Sequence, residues 1–112
     1  MLSLPLILAG LYGTDAHAGG GPANVLVIHN ADDAPSTEIA QYYAQARDIP
    51  QGQLCGLYGV DPLALSISWT DYELLIQEAV DDCLSTQPNP DDIDYLVLIR
   101  GLPYRVDIGD GF

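Results

Sequence analysis

The chain has 112 residues, with sixteen carboxylates against three arginines and no lysine, for a formal net charge of −13. That length holds one small domain, and that charge makes nucleic acid and anionic membrane surfaces poor partners. Solvated acidic faces explain the carboxylates better than a cation site does, because charge runs usually mark surface.

Residues 1–18 read as a signal peptide. Leu2–Leu11 is an apolar run of about ten residues, and Ala16-His17-Ala18 before Gly19 has the A-x-A form of a cleavage site. A transmembrane helix needs about 20 apolar residues, so no membrane span is expected. The leader departs from the usual pattern in one respect: no Lys or Arg precedes its apolar run. Cleavage after Ala18 removes one carboxylate, Asp15, and places residues 19–112, with a formal charge of −12, outside the cytoplasm.

Gly19–Ala23 is a flexible lead-in. Asn24–Asn30 follows as a first strand built on the apolar run Val25–Ile28. Asp32-Asp33-Ala34-Pro35 breaks it and opens a helix over Pro35–Arg47, since Pro suits the first turn and the aspartates favour its positive end. Ile39, Tyr43 and Ala46 share a helical face, and Ala40 and Ala44 beside them allow close approach to a sheet. Ile49-Pro50 ends the helix. Gln53–Tyr58 predicts a weaker second strand, diluted by Gly56, and Asp61–Ile67 reads as a connection.

Ser68-x-x-Asp71 is a capping box, with Ile67 and Tyr72 at the positions of the hydrophobic staple. Tyr72, Leu75, Ile76, Ala79, Val80, Cys83 and Leu84 then follow the spacing of one helical face, while Gln77, Glu78, Asp81 and Asp82 take the wet side. Ser85–Asp92 is a turn. The last element lies in Asp94–Arg105, DYLVLIRGLPYR, where Tyr95–Ile99 is a continuous apolar run stopped by Gly101 and Pro103. Such a run predicts a strand buried on both faces, the central strand of a parallel sheet.

The order is β-α-β-α-β, which predicts an α/β fold: a parallel three-layer sandwich, flavodoxin- or caspase-like, with right-handed crossovers and strand order 2-1-3. The third strand would have an open edge. The chain therefore reads as the amino-terminal part of a larger domain, residues 19–112, and self-association through that edge is expected of the isolated chain.

An even cysteine count in an exported chain favours a disulfide. Topology brings Cys55, near the start of the second strand, and Cys83, near the end of the second helix, to the same edge of the sheet. A bridge over about 28 residues would stabilise by roughly 3–4 kcal/mol. Two buried free thiols are the alternative, and two lone cysteines lack the C-x-x-C spacing of a metal site.

Arg100 and Arg105 flank the Gly101-Leu102-Pro103 turn at the carboxyl end of the third strand, where open α/β sheets bind ligands. His29 and Asn30 end the first strand at the same edge. Asn30, Arg100, Gly101 and Arg105 are thus the candidate ligand-binding edge, suited to an anion or carboxylate. The competing reading pairs the arginines with Asp32, Asp33, Asp107 or Asp110. The Asp107–Gly111 segment lacks the ligand set of an EF-hand. No dinucleotide fingerprint, Walker A loop or G-x-S-x-G elbow occurs. No catalytic residue, metal site or cofactor is assigned from the residues.

The segments VLVIHNADDAPSTEIAQYYAQARDIPQGQLCGL, ISWTDYELLI and DYLVLIRGLPYRV together resemble an uncharacterised family of exported bacterial proteins. The matching positions are Asn30, Ser36, Ile39, Ala40, Tyr42, Tyr43, Arg47, Ile49, Pro50, Leu54, Cys55, Ile67, Ser68, Tyr72, Ile76, Gly101, Pro103 and Arg105. The resemblance covers nearly all of Asn24–Val106 and implies an exported location and an α/β architecture, with members that continue past Phe112. It implies no activity. A looser similarity leads to the gingipain-type, caspase-like cysteine peptidases, whose catalytic His and Cys follow later strands and match no position here. The expectation is an exported module of unknown activity, without a complete active site. The alternatives are the amino-terminal fragment of such a peptidase, or an acidic ligand- or cation-binding module.

Overall fold

The computed structural model describes residues 20–109. The leader, its cleavage point and Asp110 lie outside the described residues. In order, the elements are β1 (Val25–Asn30), α1 (Ala34–Ala46), β2 (Leu54–Leu57), β3 (Ser66–Ser68), α2 (Trp69–Asp71), α3 (Glu78–Ser85), β4 (Tyr95–Leu98) and β5 (Arg105–Asp107). A π-helical segment, Tyr72–Gln77, joins α2 to α3 without a break.

β1 is the centre of a three-stranded parallel sheet of order β2-β1-β4. Ile28 pairs with Cys55 on one side and with Leu98 on the other. The 2-1-3 order expected for the three long strands is therefore present. Side chains alternate across the sheet, and each face has its own cover. Leu26 and Ile28 join Cys55, Leu57, Val60 and Val80 under the composite helix 69–85. Val27 meets Ala40, Ala44, Ile49 and Ile99 under α1.

Local chemistry sets the ends of α1. The Asp33 carboxylate caps its start, accepting from the Ser36 amide at 3.1 Å, so the helix begins at Ala34, one residue before the proline. At its other end Asp48 adopts φ 59° and lets the Ile49 amide reach back to the Ala44 carbonyl at 2.8 Å, an αL exit usually given to glycine. Ala40 and Ala44 are fully buried, which brings the helix close over β1.

The disulfide Cys55–Cys83 is formed, with Cα atoms 6.0 Å apart. It ties β2 to α3 as the shared sheet edge required. Beside it the buried Gln87 amide donates to the Gly52 and Cys83 carbonyls, and Gln53 donates to the Pro22 and Val25 carbonyls. The amino end of the sheet is thus cross-linked covalently and by side-chain amides.

Three expectations need correction. The run Tyr95–Ile99 is not a central strand buried on both faces. It contains β4, the outer strand of the described sheet; Leu96 and Leu98 are 52% and 66% exposed, and only Ile99 is buried. The composite helix lies over β2 and β1 and meets the same face of β4 only at a groove, where Tyr72 and Ile76 come beside Leu98. Second, Asp61–Ile67 is not only a connection, since Ser66–Ser68 pairs in parallel with Arg105–Asp107 as a separate two-stranded sheet. Third, the second helix is not a uniform α-helix. Ser68 does cap it, accepting from the Asp71 amide at 3.1 Å, and despite the π-helical segment the expected apolar face is kept, with Leu75, Ile76, Ala79, Cys83 and Leu84 packed against the core around Val80. Tyr72 and Ile76 also line a groove with Leu98 and Leu102.

Candidate functional site

The loops after β1, β2 and β4 meet at the carboxyl end of the sheet, and Asn30 joins them. This last residue of β1 is fully buried. Its side-chain amide donates to the Val60 carbonyl at 2.8 Å and to the Gly101 carbonyl at 2.9 Å. Its side-chain oxygen accepts from the Asp32 amide at 2.9 Å. Its backbone amide donates to Ser36 Oγ at 2.9 Å. Both amide hydrogens and the oxygen are occupied, so Asn30 positions the edge and has no hydrogen left to offer a ligand.

Gly101 is the counterpart on the β4 side. Its φ of +100° is one that L side chains rarely adopt, and a Cβ there would lie 3.1 Å from Ser36 Cβ. Only glycine brings this carbonyl so close to α1 and into reach of Asn30. Of the four residues singled out from the sequence, the structure joins these two directly.

The arginines stand apart from that junction. Arg105 opens β5, on the separate sheet, and its Nε is 3.7 Å from Asp107 Oδ1, with both side chains about half exposed. Asp107 is one of the partners expected for the arginines; an exposed pair at this distance contributes little. Arg100 is exposed, and no ion pair to it is found among the described residues. Asp32 and Asp33 serve backbone amides instead, Asp32 accepting from Gly59 at 2.7 Å and Asp33 capping α1.

Next to this junction lies a pocket of about 200 Å³, lined by Gly59, Val60, Asp61, Ala64, Ser66, Ile67, Ser68, Asp71, Leu75 and Pro103. Its floor is shared with the Asn30 network through Val60. Two carboxylates and two serine hydroxyls are its polar side chains, and neither arginine lines it. The sequence marks Asp61 only as a loop residue and Asp71 only as part of a helix cap. The cap at Ser68–Asp71 is visible in the sequence, but its position beside the 59–64 loop depends on the β3–β5 pairing.

His29 is buried on the α1 face, with Nδ1 3.3 Å from Thr37 Oγ1. Burial holds its pKa below the ordinary imidazole value, partly offset by a backbone hydrogen bond at Asn30. Both cysteines are in the disulfide. No cluster of three or more His, Cys, Asp or Glu side chains that could hold a metal ion is present among the described residues. No described helix is long and apolar enough to cross a membrane.

No family model matches the chain, and no curated protein or solved structure is significantly similar to it.

Proposed function

We propose that the chain is an exported α/β binding module whose ligand site is the pocket at the carboxyl edge of the sheet. The observation that carries this reading is the Asn30 junction, which fixes the loops after β1, β2 and β4 around that pocket. Open α/β sheets bind ligands at this edge. The disulfide supports export, because such bonds persist in oxidising compartments. The resemblance to exported bacterial proteins and the flavodoxin- or caspase-like strand order support the same location and architecture, as part of a larger domain.

The lining favours one ligand chemistry. Asp61 and Asp71 accept from hydroxyl and ammonium groups, Ser66 and Ser68 both donate and accept, and Ile67 and Leu75 offer an apolar wall. A small hydroxyl-bearing cation fits this set better than a carboxylate does. An amino sugar is the simplest probe. Titration of 15N-labelled protein with glucosamine should shift the amides of residues 59–71, and Asp61→Asn with Asp71→Asn should abolish the response. Glucuronate moving residues 100–105 while glucosamine moves nothing would replace this reading by an anion site between Arg100 and Arg105.

Export is checked on secreted protein by intact mass. Gly19 at the amino terminus and a mass two hydrogens below the dithiol form are expected. A full-length, reduced product would remove the extracytoplasmic assignment.

A further inference from the structure

β4 has one paired edge and one edge with no strand beside it among the described residues. The Ile99 amide donates to the Ile28 carbonyl at 2.9 Å. Together with the register Leu96↔Leu26 and Leu98↔Ile28, this turns the backbone groups of Tyr95, Val97 and Ile99 toward β1. Those of Leu96 and Leu98 point to the other side, where no described strand pairs. The same two leucines expose more than half of their side chains on the face the composite helix covers only in part. Leu98 continues into a groove of about 130 Å³ formed with Ile67, Tyr72, Ile76 and Leu102.

We propose that the occupant of this edge is a second copy of the chain, its β4 lying antiparallel about a two-fold axis through Val97. Charge complementarity selects that occupant and that register. In a symmetric antiparallel pair, the outward-facing residues of one strand must meet those of the other, which leaves axes at Leu96, Val97 or Leu98. An axis at Val97 pairs Leu96 with the partner's Leu98, twice, and stacks four leucines on one face. It also brings Asp94 and the partner's Arg100, which flank β4 just outside the strand, near one another at both ends; the Asp94 amide itself stays on the β1 side, donating to the Asn24 carbonyl at 2.9 Å. Asp94 and Arg100 are both exposed, and no ion pair is found for either among the described residues. An axis at Leu96 would put Asp94 against Leu98, and one at Leu98 would put Arg100 against Leu96. A chain with only three cations thus places one of them where a self-complementary strand needs it. The paired strand residues Leu96, Val97 and Leu98 line no part of the ligand pocket, although the groove beside them shares Ile67 with it; the dimer test therefore substitutes only strand residues and the flanking Asp94 and Arg100.

The test is sedimentation equilibrium of the whole chain in about 0.15 M salt, which reduces the Debye length to about 8 Å and screens the general repulsion between acidic copies. A monomer–dimer equilibrium in the micromolar range is expected. Leu98→Asp, at an exposed position that should still fold, is expected to weaken it by at least about tenfold. Asp94→Arg and Arg100→Asp should each weaken self-association similarly, since each brings like charges near one another. An equimolar mixture of those two variants should recover a heterodimer, because both arginines of the first variant then face aspartates of the second. Monomer at all concentrations would overturn the proposal. So would a dimer indifferent to Leu98→Asp, or charge variants that do not rescue one another.

Discussion

β1 and β4 are two apolar strands, VLVIHN and YLVL, hydrogen-bonded to each other in parallel. Their fates differ. Leu26 and Val27 are completely buried, whereas Leu96 and Leu98 are more than half exposed. The β1–β2 side has α1 on one face, the composite helix on the other, a disulfide at one end and the Asn30 junction at the other. The β4 side has α1 on one face and, on the other, only a groove in which Tyr72 and Ile76 stand beside Leu98. An apolar run therefore records that a strand is built to be covered, and what covers it has to come from elsewhere in the fold.

If the closed side carries the stability, the largest loss should come from its covalent tie. Replacing both cysteines in the Cys55→Ala/Cys83→Ala protein should lower unfolding free energy by about 3–4 kcal/mol, the chain-entropy value for a loop of this size. Urea titration of the variant against the oxidised parent measures it. A loss below about 1 kcal/mol would mean that the closed side is held by packing alone.

The junction at the other end of β1 comes next. Asn30→Ala removes three side-chain hydrogen bonds and leaves the Val60 and Gly101 carbonyls and the Asp32 amide unsatisfied. At about 1 kcal/mol for each bond, the expected cost is about 3 kcal/mol. Thermal melts should show it, together with a loosening of the glucosamine response at residues 59–71.

Gly101 links the two sides, and its replacement should cost somewhat less. Gly101→Ala must hold a non-glycine residue at φ +100° and press its Cβ against Ser36, at a cost of about 2 kcal/mol. The denaturation midpoint should fall. An unchanged midpoint would show that the 99–105 turn moves freely and that β4 is coupled only loosely to the junction.

A smaller effect distinguishes the two strands by pH. Burial depresses the His29 pKa in the folded protein, so below about pH 6.5 the unfolded chain takes up a proton that the native chain refuses. Stability should be level above about pH 7 and fall as pH drops through about 6.5 toward the lower native value. Chemical denaturation between about pH 5.5 and 7.5 should show this slope in the parent and lose it in His29→Gln. A slope of equal size in that variant would assign it to other groups.

Much of this was legible in the sequence. Asp33, Pro35 and the paired alanines predict α1 and its close seat on the sheet; Ser68-x-x-Asp71 predicts the second helix; and the strand–helix alternation predicts the strand order and the Cys55–Cys83 bridge. The remainder depends on tertiary pairing. Ser66–Ser68 and Arg105–Asp107 are three residues each, too short for periodicity to mark, and each becomes a strand only because the other lies beside it. The π-helical turns at Tyr72–Gln77 leave no mark in the spacing, because the same apolar residues still meet the core. Asn30 was visible as a polar end to an apolar strand, but its three partners are up to 71 residues away. Sequence spacing could not show that its hydrogen bonds are all spent on the protein itself.

The contrast between β1 and β4 is tested most directly by native-state hydrogen exchange, residue by residue, on protein dilute enough to be monomeric. The account predicts that the amides of Leu26, Val27 and Ile28 exchange only with global unfolding, while those of Leu96 and Leu98 exchange at close to unprotected rates. Protection of Leu96 and Leu98 equal to that of β1 in the dilute monomer would contradict it. β4 would then be a covered strand within a single chain.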